Sequence, residues 1–150
     1  MSTTKRRIHN KRDYRQDEMT ATAVAIQPGM LLERVAAGTV QAHSEEGGYA
    51  EPLFAAEDAL QGKTVTTNYA VSAKITCLIM AKGSIVNALI EDESDIDIGD
   101  ELISAGNGKL KEGSALESGE TLQQVVAIAV EVCDLTGSDS DDKLCAVMII

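Results

Sequence analysis

The chain is poor in aromatic residues. Its 150 residues hold no Trp, one Phe (Phe54) and three Tyr (Tyr14, Tyr49, Tyr69). A core must therefore be packed from Val, Ile, Leu, Ala and Met. Such side chains bury limited area each, and a domain built from them gains stability by association. Histidine is scarce too: His9 and His43 are the only two. No Ser stands beside an obvious base, so no catalytic constellation emerges and the chain does not read as an enzyme. No apolar run reaches the roughly 18 residues of a membrane-spanning helix. The charged N-terminus is not followed by a hydrophobic stretch, so no secretory signal is expected. The three cysteines, Cys77, Cys133 and Cys145, lack metal-ligand spacing. They are expected to be small thiols made in a reducing compartment, two of them inside apolar runs, with no metal bound.

Basic residues are scarce except at one place. Residues 1–16 hold Lys5, Arg6, Arg7, Lys11, Arg12 and Arg15 against a single acid, Asp13. The remainder carries seven basic residues and 23 acidic ones, within a chain of net charge −11. Residues 1–18 show no apolar period, so the sequence predicts an extended basic arm on an acidic body spanning 19–150. Fully stretched, the arm would reach about 60 Å at roughly 3.3–3.6 Å per residue. An arm of this kind makes contacts, and Lys5, Arg6, Arg7, Lys11, Arg12, Tyr14 and Arg15 are the candidate partner-binding residues. Nucleic acid is the less favoured partner, because an acidic body repels phosphate and aromatics for base stacking are nearly absent.

What fills the body is β texture. Strands are expected over Thr20–Ile26, Met30–Val35, Thr39–His43 and Thr64–Val71, with a short apolar run at Leu53–Ala56 and one helical turn near Ala56–Leu60. Ala73–Ala81 and Ser84–Ile90 are expected to form a hairpin across Lys82-Gly83. Ile96–Ile98 and Glu101–Ser104 flank a turn at Gly99-Asp100. Gly should take positive φ there, and the Asp side chain should accept a backbone N–H. Asn107-Gly108 marks a second hairpin. Leu122–Leu135 is the longest strand candidate, its β-branched content favouring strand over helix. Lys143–Ile150 closes the chain as a strand. Short strands with frequent turns predict an all-β fold, a small β-barrel or β-sandwich.

Other patterns carry no chemistry. Ser104–Leu110 evokes a phosphate loop, but Ile103 and Leu110 stand where such a loop needs Gly and Ser/Thr. Lys82 faintly resembles the modified lysine of a biotinyl or lipoyl carrier, yet its flanks match neither pattern, and no cofactor is expected. The acids between Asp92 and Glu101 miss the calcium-loop order at Ile98. They read as a solvated loop, as do Asp139, Asp141 and Asp142.

Four stretches taken in order carry a family resemblance. They are Ile26-Gln27-Pro28-Gly29-Met30-Leu31-Leu32-Glu33, Pro52–Lys63, Ile98–Leu110 and Val126-Ala127-Ile128-Ala129. Together they resemble the capsid cement or decoration proteins of tailed bacteriophages, over roughly residues 20–150. The resemblance implies a structural virion protein, a homo-trimer, on the outer surface of an icosahedral head. It would bind between major capsid protein subunits and stabilise the shell, passing through the host cytoplasm during assembly. It implies no catalytic residues, cofactor or membrane. The alternatives are a small ligand-binding or enzymatic β-barrel, and a packaging factor that binds nucleic acid through the arm.

Overall fold

A computed structural model describes residues 7–11, 14–22, 25–113, 122–137 and 143–150. The fold is all-β. Among the described residues thirteen strands run in chain order: β1 His9–Lys11, β2 Tyr14–Ala21, β3 Leu32–Ala36, β4 Thr39–Ala42, β5 Leu53–Ala55, β6 Lys74–Met80, β7 Ile85–Ile90, β8 Asp95–Ile96, β9 Glu101–Ser104, β10 Leu110–Glu112, β11 Ala127–Ala129, β12 Cys133–Asp134 and β13 Lys143–Ile149. The single helical turn expected near Ala56–Leu60 is a short 3-10 turn at Ala59–Gln61.

These strands form two rings. In the first, the order β7-β10-β9-β11-β13 closes because β13 also pairs with β7, from Lys143 opposite Ile90 to Met148 opposite Ile85. β1 attaches to the free part of the β7 edge, His9 opposite Val86 and Lys11 opposite Ile85. In the second, the order is β3-β4-β2-β6-β5, and a bridge between Leu31 and Phe54 brings its two ends together. A two-stranded ribbon, β8 with β12, forms a separate sheet that packs on the first core through Ile96.

One strand pair serves both rings. Along β6, Ile75 and Cys77 enter the second core, while Leu78 and Met80 enter the first. Along β5, Leu53 and Ala55 face the second core and Phe54 the first. Side chains alternate across a strand, so a wall between two cores must be apolar on both faces. That is why Leu53-Phe54-Ala55 is an unbroken apolar run. The lone Phe is fully buried where the two cores abut. Gly29 sits at the same seam. Its N–H donates to Ala55 O at 2.8 Å, and its O accepts from Leu89 N–H at 2.9 Å. Its φ is +91°, and a Cβ there would collide with Leu144.

A long antiparallel ladder joins the rings. Thr20 pairs with Lys74 and Tyr14 with Met80 in the second ring, then Lys11 with Ile85 and His9 with Val86 in the first. The strand expected over Thr20–Ile26 therefore begins earlier, at Tyr14, and continues across the 18/19 boundary. The extended arm expected over residues 1–18 is replaced, at 9–11 and 14–18, by paired strand. The hairpin expected at Lys82-Gly83 is instead a crossover, since β6 and β7 belong to different rings and Gly83 N–H donates to Ile149 O.

Two further differences have local causes. Thr64–Val71 turns rather than extends, apart from a bridge between Tyr69 and Ile26. The Thr64 and Thr66 hydroxyls bond each other at 2.9 Å, and Thr67 N–H donates to Thr64 O. Short hydroxyl side chains offer such local alternatives to a ladder. Leu122–Leu135 is broken into β11 and β12 by a bend at Glu131. By contrast, β9 and β10 form the hairpin expected at Asn107-Gly108, and Gly99 takes φ +97° with Asp100 Oδ2 accepting Asp97 N–H at 2.8 Å.

Candidate partner-binding surface

Of the seven arm residues, four lie among the described residues. Arg7, Tyr14 and Arg15 are exposed, and the Lys11 backbone pairs with β7. Lys5, Arg6 and Arg12 lie outside the described residues. The segment is anchored by a residue that charge counting passed over. Ile8 is fully buried in the first core. Its N–H donates to the buried Glu57 carboxylate at 3.0 Å, and its O accepts Asn87 N–H at 2.7 Å. Asn87 Nδ2 donates to Arg7 O at 2.7 Å. The His9 ring rests on Tyr14, centroids 4.8 Å apart. Tyr14 and Arg15 are thus displayed from β2, and Arg7 from the anchored position before Ile8. A single Ile among charges gives no period, so only the tertiary pocket shows its role.

β7 runs between segments of different charge. Lys82 precedes it, and Lys11 pairs with Ile85 at its start. Its end leads into residues 91–101, which hold seven acids and no base. Lys111 and Lys143 lie towards that acidic end, Lys111 paired with Glu46.

A second polar cluster, absent from the sequence reading, braces the two rings. His43, at the end of β4, is 1% exposed, and Ser104, at the end of β9, is fully buried. His43 Nδ1 lies 2.7 Å from Ser104 Oγ, and Nε2 lies 2.8 Å from Tyr49 O. A carbonyl only accepts, so Nε2 carries the proton and Ser104 donates to Nδ1. Ser104 Oγ in turn accepts Gly106 N–H at 3.1 Å. A Ser–His contact is the start of a nucleophilic dyad, but this Ser has no surface to offer a substrate. The pair is a brace. Beside it, burial works to raise the Glu33 carboxyl, but hydrogen bonds from Ser44 and Gln41 outweigh it and hold the group below the usual carboxylate range.

The remaining reactive groups are tied up. Burial pushes the Cys77 thiol up to about 12, with Asp17 adding to the effect. Cys133 and Cys145 are joined as a disulfide, Cα–Cα 6.2 Å, which corrects the expectation of three free thiols. Their sulfurs and a Glu131 carboxylate oxygen lie within 4.8 Å of one another, but the disulfide occupies both sulfurs. Arg34 holds Glu51 through two bonds, Nε–Oε2 at 2.8 Å and Nη2–Oε1 at 3.1 Å, which raises the guanidinium further. A shallow depression of about 440 Å³ is lined by Asp58, Lys63, Asn68, Tyr69 and Lys74. The Tyr69 hydroxyl there is committed to Ala56 O at 2.9 Å. No helix among the described residues is long and apolar enough to cross a membrane.

No family model matches the chain, and no curated protein matches it. A solved structure does. The chain is similar in fold to the head fiber gp8.5 N base in bacteriophage phi29, with a TM-score of 0.56 and 13% identity. The likeness covers 92% of this chain and 95% of that one. It therefore takes in both rings rather than a single shared barrel.

Proposed function

We propose that the protein is a structural component of a tailed-phage virion. It sits on the outer surface of the head, contacts the major capsid protein where subunits meet, and stabilises the shell without catalysis. The observation that carries this reading is a fold likeness to a phage head fiber base over nearly the whole of both chains. The surface is compatible with it: Tyr14 and Arg15 are exposed on β2, and Arg7 is exposed just before β1. Exposed Arg side chains can steer a docking protein towards an acidic surface. A disulfide also suits a particle that leaves the reducing cell interior. The test is co-sedimentation of the full chain with assembled heads. Wild type should pellet with heads, and charge reversal at Arg7 and Arg15 should lower occupancy, most clearly at low salt. A wild type that stays in the supernatant at every salt concentration would refute the reading.

A further inference from the structure

Among the described residues, the outer edge of β2 over Tyr14–Glu18 is open. β2 pairs with β6 along Tyr14–Thr20 on one side, but meets β4 on the other only at Thr20 and Ala21. Among the described residues no strand lies against the outer edge of Tyr14–Glu18. The direction of its polar groups follows from the bonds further along. Thr20 N–H and Thr22 N–H donate outward to Gly38 O and Val40 O, whereas Ala21 N–H donates to Ala73 O on the β6 side. Alternation then turns the N–H and C=O of Tyr14, Gln16 and Glu18 outward. Glu18 N–H is met only by the neighbouring Asp17 carboxylate, at 2.9 Å. An exposed edge with unpaired rungs is a template for another strand.

The sequence of this edge is complementary to itself. If two copies pair antiparallel with Gln16 opposite Gln16, Tyr14 faces the partner's Glu18 and Arg15 faces the partner's Asp17. Tyr14, Gln16 and Glu18 are the outward-turned residues, so this register makes them the hydrogen-bonded pairs. Arg15 and Asp17 fall on one face as the non-hydrogen-bonded pair, where opposed side chains approach most closely. The two-fold supplies the Arg15–Asp17 pairing twice. It also falls where two copies of a −11 chain repel least: residues 7–18 hold four basic residues against three acids. Arg34 is the other cation near Asp17, and Glu51 already holds it.

We propose that this edge is a homotypic interface: β2 pairs with β2 of a second copy about a two-fold axis, in the register that sets Arg15 against Asp17. This gives a dimer in place of the trimer expected from the sequence. It shares Tyr14 and Arg15 with the attachment to heads proposed above, so it is tested in the absence of heads. Five residues a side is a small interface beside the roughly 1,200–2,000 Å² of a stable complex, so association is weak and concentration-dependent.

The test is sedimentation equilibrium of the purified full chain, without particles, at physiological salt and up to sub-millimolar concentration. A monomer–dimer equilibrium is expected, the dimer at twice the 15.9 kDa of one chain. Arg15→Asp should set like charges together in both copies and weaken the dimer about tenfold or more. Asp17→Arg added to Arg15→Asp should restore it, because the pairs re-form with their signs exchanged. Gln16→Pro, which removes an outward N–H that β6 does not use, should abolish it while circular dichroism keeps the wild-type strand spectrum. Wild type that is monomeric throughout, or trimeric, overturns the proposal. So does a double variant that stays as weak as Arg15→Asp while folded, because then the register is not the one argued here. Failure to bind heads would leave these outcomes unchanged, so the two readings fail separately.

Discussion

Replacing Ile8 by Ala should destabilise the whole protein, although Ile8 lies within a segment that reads as a free arm. Ile8 is fully buried among residues of the first core such as Val86, Ala88 and Phe54. Trimming a buried Ile to Ala costs about 2–5 kcal/mol, from lost transfer energy and the cavity left behind. Total stability for a domain of this size is about 5–15 kcal/mol. Deleting residues 1–18 goes further. It removes the Ile8 N–H that meets Glu57, stranding a buried carboxylate at about 1–3 kcal/mol or more. It also strips β6 of its partners from Tyr14 to Glu18. The assay is urea unfolding followed by far-UV circular dichroism. At an m-value of about 1–3 kcal/mol/M, Ile8→Ala should lower the midpoint by roughly 1–2 M with the slope unchanged. The deletion should leave little cooperative transition. Arg7→Ala, one residue away and exposed, should move the midpoint hardly at all. If Ile8→Ala unfolds within experimental error of wild type, the pocket is not filled by Ile8 and the basic segment is a free arm after all.

Cys77 should resist alkylation at neutral pH in the native state and react once urea unfolds the chain, since its thiol titrates near 12 and is fully buried. Rapid native labelling at Cys77, located by peptide mass, would refute its placement. Glu33 has a lowered folded-state value, so its contribution to stability is complete above the ordinary carboxyl value of 4.5 and is lost as pH falls through the lower folded one. Urea midpoints measured across that range should fall more steeply for wild type than for Glu33→Gln; parallel curves would count against the Ser44 and Gln41 bonds. The disulfide closes a loop with a sequence separation of 12. Reduction, or Cys133→Ser, should therefore cost about 2–3 kcal/mol and lower the melting temperature by roughly 5–10 °C. An unchanged melt after reduction would mean that the loop is already constrained by β13 pairing.

The sequence made fold class and most turns legible because their signals are local. Gly99-Asp100 and Asn107-Gly108 behave as their chemistry demands, and β3, β4, β5 and β13 lie where short β-rich runs placed them. The failures at the arm and at Lys82-Gly83 share one cause. Ala73–Ile90 looks like a hairpin because a Gly interrupts two apolar runs, and nothing local distinguishes a reversal from a crossover between rings. The distinction is made by the opposite side of the ladder, at His9–Ala21, which is remote in sequence and disguised by charge. A strand at a ring's outer edge has no need of an apolar face, so residues 7–18 show no period even though they pair along almost their whole described length. One buried Ile in that stretch is below the threshold of any pattern, yet it decides whether the basic residues dangle or are presented. The candidate surface was therefore legible as chemistry, in the charges of Arg7 and Arg15, and illegible as geometry. That geometry changes what the surface can do. A free arm gives up backbone ordering entropy when it docks, whereas the backbone of Tyr14 and Arg15 in β2, and of Arg7 held at its carbonyl by Asn87, has given it up on folding. Their contacts with a partner can then be short-range and register-specific. An edge held rigid in this way can recognise a second strand by which residue faces which, and not only by net charge.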